Sequence, residues 1–316
     1  MILATPLSDG SSSVEMCGSE LSGRKKEARM TNKPIVLAHG IARFDILRET
    51  VSNKSNLGDS DRLHYFKGTK THLEGKGFRV FHSNQDFAGP VESRAEQLKA
   101  RVNEVLSATG AEKVHIIGHS MGGLDARHMI VDMGMAERVA TLTTIGTPHL
   151  GTILADHVIG HGGVFLLDLL RRVINLDGFA DLTVTSCEAF NKRVEDSEAR
   201  NNVVYQTYAS AEEMRQVFAP LVPSWIFIRD NEGKNDGLVP FRSQQWNREL
   251  VAGDGTRKPI TQKEFPLSAD HLNQVGWWDP QEAISPLAGL GGFFKQVSNY
   301  ETKIKDVYLE IAQNLP

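Results

Sequence analysis

The stretch VHIIGHSMGGLDARHMI, residues 114–130, constrains this chain more than any other. An apolar run of strand character ends in Gly118-His119-Ser120-Met121-Gly122, and a helical pattern follows at once. Glycine is costly inside a strand or a helix. Three glycines around one serine therefore need a geometric cause. A strand that turns directly into a helix places the serine at the tip of a sharp, strained turn. The residues two positions away must then be small, because the strand end and the helix start press together. Gly118 and Gly122 meet that need, and Gly123 lets the helix pack close to a neighbouring strand. The turn also sets Ser120 at a helix N-terminus, where unpaired N–H groups point outward.

The rest of the chain repeats the strand-then-helix pattern. PIVLA (34–38), GFRVFHS (77–83), KVHIIG (113–118), VATLTTIG (139–146) and NVVYQTYAS (202–210) read as strands, and SWIFI (224–228) as a candidate further strand. Val91, Ala95, Leu98, Val102, Val105 and Leu106 fall at helical spacing over 91–109, and Gly110 stops them. A helix is expected over about 121–133. A last one carries Tyr300, Ile304, Val307, Tyr308, Ile311 and Leu315 on one stripe. This alternation predicts an α/β fold, a mostly parallel central sheet with helices on both faces.

Residues 150–200 interrupt the alternation. Within them VFLLDLLRRVINL (164–176) is apolar except at Asp168, Arg171, Arg172 and Asn175, which share one helical face. We read a helical lid insertion over an apolar cleft, with a core helix as the alternative. Residues 1–30 are rich in Gly, Ser and charge and are expected to form a disordered leader. The folded domain is then 31–316.

Composition narrows the function. The 316 residues carry a net charge of −4 with no basic run, which argues against a nucleic-acid partner. No apolar stretch reaches the roughly 18–20 residues of a membrane span. The two cysteines, Cys17 and Cys187, have no metal-binding spacing and are expected to stay unpaired. The apolar start is too short for a signal-peptide core, so the expected location is cytoplasmic.

A serine hydroxyl needs a base to act as a nucleophile. Gly118-His119-Ser120-Met121-Gly122 resembles the G-x-S-x-G turn of α/β-hydrolases, and that resemblance implies an acid later in the chain and a histidine after it. Of His128, His149, His157, His161 and His271, only His271 lies late enough. His128 falls on the helix leaving the turn, His149 could line a site, and His157 and His161 lie in the expected lid. Asp236, in the turn Asn235-Asp236-Gly237, is the favoured acid; Asp230 is the rival. Asp270 adjoins His271 and would point elsewhere. His39-Gly40 ends the first strand, so the N–H of Ile41 can face that of Met121 and bind an oxyanion.

The segments KPIVLAHGIARFD, HYFKG, GFRVF, RAEQLKARVNEVLSATGAEKVHIIGHSMGGLDAR, VATLTTIGTPHLGT, NDGLVP and DHLNQVGW occur in order between about residues 33 and 278. In these segments the chain resembles the bacterial true lipases of the Pseudomonas and Burkholderia type. That resemblance implies an α/β-hydrolase fold and hydrolysis of carboxylic esters of lipids. It implies Ser120 as nucleophile, Asp236 as acid, His271 as base, the N–H groups of Ile41 and Met121 as oxyanion hole, and a mobile lid in transient contact with a lipid surface. Secreted relatives often bind a structural calcium through an aspartate two residues after the histidine. Here that position is Asn273, and the earlier acidic position offers only Glu212 and Glu213. Calcium affinity falls as carboxylates are lost, so we expect neither metal nor organic cofactor. Some relatives carry a disulfide whose second cysteine lies six residues after the acid; Arg242 stands there. The resemblance to secreted enzymes keeps secretion as the alternative location. A phospholipase or an acyltransferase would use the same triad, and an inactive hydrolase fold serving as a binding protein is the non-enzymatic alternative.

Overall fold

The computed structural model describes residue 1 and residues 33–41, 61, 64–86, 89–161, 178–277 and 290–316. The expected leader beyond residue 1 and the 164–176 segment lie outside the described residues. Among those described, the strands are β1 (Ile35–Ala38), β2 (Val80–His82), β3 (Val114–His119), β4 (Val139–Ile145), β5 (Val204–Ala209), β6 (Glu249–Val251), β7 (Arg257–Pro259) and β8 (Thr261–Glu264). The helices are α1 (Thr69–Glu74), α2 (Val91–Thr109), α3 (Met121–Asp132), α4 (Ile153–His161), α5 (Val184–Arg200), α6 (Val222–Glu232), α7 (Phe241–Gln245) and α8 (Leu290–Gln313).

Six strands form one sheet in the order β2-β1-β3-β4-β5-β8, with every neighbouring pair parallel. β6 and β7 make a small antiparallel pair. Strand residues alternate between the two faces, as the pleat requires. Val36, Ala38 and Ile116 pack on Leu98 and Val102 of α2 and on Ala126, Met129 and Ile130 of α3. Ile35, Leu37 and Ile117 pack on Leu73 of α1 and on Ile304 and Tyr308 of α8. The sheet is thus covered on both sides, which is why β1 and β3 are buried along their whole length.

The strand order positions the site. β1 leads to β2 on one side of the sheet, while β3 leads to β4 on the other. A crevice opens at the carboxyl ends of two neighbouring strands whose connections diverge in this way. Leu37 pairs with Ile117 and Ala38 with Gly118, so His39-Gly40-Ile41 and His119-Ser120-Met121 leave the sheet side by side.

The other five expected strands and the helices at 91–109 and 121–133 are present within three residues at their edges, and the C-terminal helix is present and begins ahead of the expected stripe, at Leu290. SWIFI is not a strand. It lies inside α6, which carries a proline in its first turn. Leu221, Ser224 and Ile228 face inward at helical spacing, and that burial outweighs the strand preference of Trp225, Ile226 and Phe227. No helix among the described residues is long and apolar enough to cross a membrane.

Candidate active site

Ser120 joins β3 to α3 with φ 55° and ψ −133°. A non-glycine residue in that conformation is strained, and such strain persists only where the surroundings impose it. The surroundings here are close-packed backbone. A Cβ on Gly118 would lie 2.9 Å from the Cα of Gly123, and one on Gly122 would lie 2.4 Å from the Ala38 carbonyl oxygen. A Cβ on Gly123 would meet the Thr147 hydroxyl at 2.2 Å and a Thr144 methyl at 2.9 Å. All three glycines are therefore required by packing between β1, β3, β4 and α3. The Ser120 N–H donates to the Ile145 carbonyl at 2.9 Å, and the Thr147 hydroxyl donates to the Ser120 carbonyl at 2.8 Å.

The end of β1 comes equally close. A Cβ on Gly40 would lie 2.6 Å from the Cβ of Ser120. Ile41 follows and shares a pocket wall with Ser120 and His271. Met121 opens α3, so its N–H is among the helix amides without an acceptor in the preceding turn. Pro148, Thr152, Phe179, Leu182, Leu238 and Val239 complete the pocket. The Thr152 hydroxyl donates to the Leu238 carbonyl at 2.9 Å, which leaves the lining largely apolar.

A buried ion pair holds the β1 end in place. Arg94 of α2 bonds Asp125 of α3 at 2.7 Å, and another of its N–H groups donates to the His39 carbonyl at 2.8 Å. Gln85 donates to the same carboxylate at 2.7 Å, and its main-chain carbonyl lies 3.0 Å from Nε2 of His39, whose Nδ1 lies 2.9 Å from the Gly40 carbonyl. Burial, with Arg94 adding, lowers His39 to about 3, so its ring is neutral and a single donor. Burial raises Asp125 to about 6 even against the pull of Arg94.

The candidate acid and base arrive from the far side of the sheet. Asp236 follows α6, and His271 lies beyond β8. The Nδ1 of His271 is 2.8 Å from Oδ2 of Asp236. The other oxygen, Oδ1, accepts the N–H groups of Leu238 and Val239 at 3.0 and 2.8 Å. Gln274 donates to Oδ2 at 2.8 Å. The carboxylate is thus fully buried yet fully hydrogen-bonded, as a buried charge must be. A serine on a strained turn, an imidazole facing the same pocket and a carboxylate behind that imidazole can together generate a nucleophile.

A family model described as alpha/beta hydrolase fold matches residues 33–217. The chain belongs to the α/β-hydrolase fold family. A triacylglycerol lipase of Burkholderia plantarii is 37% identical over 153 residues, 47% of this chain and 38% of that protein, so the match spans well under half of that relative's length. A triacylglycerol lipase of Vibrio cholerae is 34% identical over 242 residues, 66% of this chain and 72% of the relative. Lipase 1 from Pelosinus fermentans superposes with a TM-score of 0.57 at 17% identity, over 88% of this chain and 99% of that one. At that identity the likeness is one of fold.

Other candidates in this α/β-hydrolase find different places. Asp230 lies on the exposed side of α6, 2.7 Å from Arg229, not in the loop with Asp236. Asp270 turns away and caps the N–H groups of Phe218, Leu272 and Asn273 at 2.7, 2.9 and 2.8 Å. His128 is packed, paired with Asp132 at 2.8 Å and stacked on Phe190. His149 does not line the pocket. It is buried with its Nε2 2.8 Å from the Thr144 hydroxyl and its ring stacked on Trp246. His157 leans on Phe227, and the side chain of His161 lies outside the described residues.

Glu212 spends one oxygen on the Glu213 N–H at 2.7 Å, and Asp270 is committed to three backbone donors. Among the described residues no group of three or more His, Cys, Asp or Glu side chains is placed to hold a metal ion.

Proposed function

We propose that this chain hydrolyses carboxylic esters with an apolar acyl part, lipid esters in particular. The observation that carries the reading is the Asp236–His271 contact of 2.8 Å beside a strained Ser120 in one apolar pocket. The relatives named triacylglycerol lipases support the choice of lipid esters.

In this reading the Ser120 hydroxyl gives its proton to Nε2 of His271 as Oγ attacks the ester carbonyl carbon. Asp236 holds Nδ1–H, fixes the tautomer and stabilises the imidazolium. The N–H groups of Ile41 and Met121 receive the oxyanion. The intermediate collapses, the C–O bond to the alcohol breaks, and the leaving oxygen takes the proton from His271. A water then gives a proton to His271 and attacks the acyl-enzyme. Collapse returns the proton to Ser120 and releases the carboxylic acid.

A fluorophosphonate probe tests the nucleophile. The expected result is one adduct on the peptide holding Ser120, lost in Ser120→Ala. A folded protein that takes no label, or takes it elsewhere, overturns the assignment.

A further inference from the structure

Tyr65, His119 and Gln274 stand in line behind the acid–base pair. Gln274 Nε2 lies 2.8 Å from Oδ2 of Asp236, the oxygen that Nδ1 of His271 also binds. An ionised carboxylate only accepts, so the amide nitrogen must face it. Gln274 Oε1 then faces His119 Nε2 at 3.0 Å, and that nitrogen carries the ring proton, with the His271 carbonyl as a second acceptor nearby. His119 Nδ1 is left to accept the Tyr65 hydroxyl at 2.7 Å. The Tyr65 oxygen in turn accepts from the Gly40 amide. Every bond points the same way, from the end of β1 to the carboxylate, so each strengthens the next.

Three further observations fit a built arrangement. His119 is fully buried, and burial, with His271 adding, lowers its proton affinity well below the usual range, so it stays the neutral ring that the bonding requires. Gly146 has φ 60°, and a Cβ there would lie 2.2 Å from Gln274 Oε1. A Cβ on Gly40 would lie 2.9 Å from the Tyr65 oxygen. Both glycines clear room for the chain of polar groups. The Tyr308 hydroxyl fixes the Gln274 carbonyl at 3.0 Å.

We propose that Gln274, His119 and Tyr65 are positioning residues that tie the Asp236 carboxylate to the Gly40-Ile41 backbone, so that the acid–base pair and the oxyanion donors are held as one unit. The proposal rests on the ester-hydrolase reading. Its chemistry is electrostatic. Removing the Gln274 donor makes the carboxylate more basic, and a more basic carboxylate holds the imidazolium of His271 more tightly. Tyr65 and Asp270 also feel the Asp236 charge, His119 acts on His271, and Arg94 acts on Tyr65 from beyond.

Two variants test it. Gln274→Met keeps the side-chain length and removes both hydrogen bonds; Tyr65→Phe keeps the ring and removes the hydroxyl. With a soluble p-nitrophenyl ester, Gln274→Met is expected to lower kcat about tenfold or more with KM within roughly twofold, as for a group that does not touch substrate. The acid limb of kcat/KM is expected to move up by roughly half to one pH unit. In proton spectra, the downfield Nδ1–H resonance of His271 is expected to move further downfield. Tyr65→Phe acts in the same direction and more weakly. The double variant is expected to be no worse than Gln274→Met alone, because both break one chain. Losses that multiply, or a Gln274→Met enzyme with kcat, acid limb and resonance of the wild type, overturn the proposal. Should Gln274→Met fail to fold, Tyr65→Phe decides alone, and an unmoved limb and resonance overturn it. A wild type with no turnover sinks the hydrolase reading instead, and the resonance still reports on the chain of bonds.

Discussion

His271 is joined to Asp236 twice: Nδ1 lies 2.8 Å from Oδ2, and the His271 N–H donates to the Asp236 carbonyl at 2.8 Å. The side-chain contact sets the tautomer, and the main-chain contact keeps the loop from swinging the ring away. Asp236→Asn preserves the main-chain bond and the shape of the site. It is expected to lower kcat on the order of 10⁴-fold through the wrong tautomer. Asp230→Asn, at the exposed α6 site, is expected to leave kcat unchanged. Steady-state kinetics of the two variants side by side checks the assignment.

Gly122 is the tightest point between the turn and β1. Gly122→Ala forces a methyl to within 2.4 Å of the Ala38 carbonyl oxygen unless the backbone moves. The expected cost is about 1–3 kcal/mol of stability, as for overpacking elsewhere. Urea unfolding measures it. Gly134→Ala is an instructive partner. Nothing lies within 4 Å of a Cβ there, and its φ of 68° leaves backbone strain as the only penalty, so its loss is expected to be smaller.

Arg94 supports both the core and the loop that leaves β1. Arg94→Met leaves the Asp125 carboxylate buried without its cation and frees the His39 carbonyl. A stability loss of about 3–5 kcal/mol is expected, the cost of breaking a buried pair from one side. In whatever fraction remains folded, kcat is expected to fall as the Ile41 amide loses its anchor. Unfolding curves and active-site-titrated kinetics separate the two effects.

His115 offers a test of pH dependence away from the site. It lies on β3 with its Nδ1 2.8 Å from the Thr141 hydroxyl. Burial, with the Lys33 charge adding, lowers it to about 4 from the ordinary 6.5. Between those two values the unfolded chain holds a proton that the folded chain does not. Stability from this group is therefore present above pH 6.5 and lost as pH falls toward 4. His115→Gln removes the titration. The variant is expected to lose less stability than the wild type between pH 7 and 4, by roughly 1–3 kcal/mol. Parallel losses in both proteins would count against the assignment.

Much of the fold was legible because β1 is a continuous apolar run, β3 and β4 are short runs rich in Val, Ile and Thr bounded by turn residues, and α2 is an apolar stripe ended by Gly110 at φ 66°. The turn at Ser120 was legible because backbone crowding leaves only glycine at fixed offsets. β8 was not, because TQKE is an edge strand with no fully buried residue, defined by its pairing to β5 rather than by any pattern. The bonds of His119 to Tyr65 and Gln274 span 54 and 155 residues and leave no local signal. Arg94 did leave one. A charged residue on the buried stripe of α2, between Val91 and Ala95, has to meet a buried partner.

The most direct measurement is hydrolysis of p-nitrophenyl esters from C2 to C16 by the wild type and by Ser120→Ala. The wild type is expected to cleave medium or long acyl chains best, since the pocket wall beside Ser120 is apolar. Ser120→Ala is expected to lose roughly 10⁶-fold in kcat. Equal inactivity of both proteins on every ester, or equal activity of both, would contradict the account.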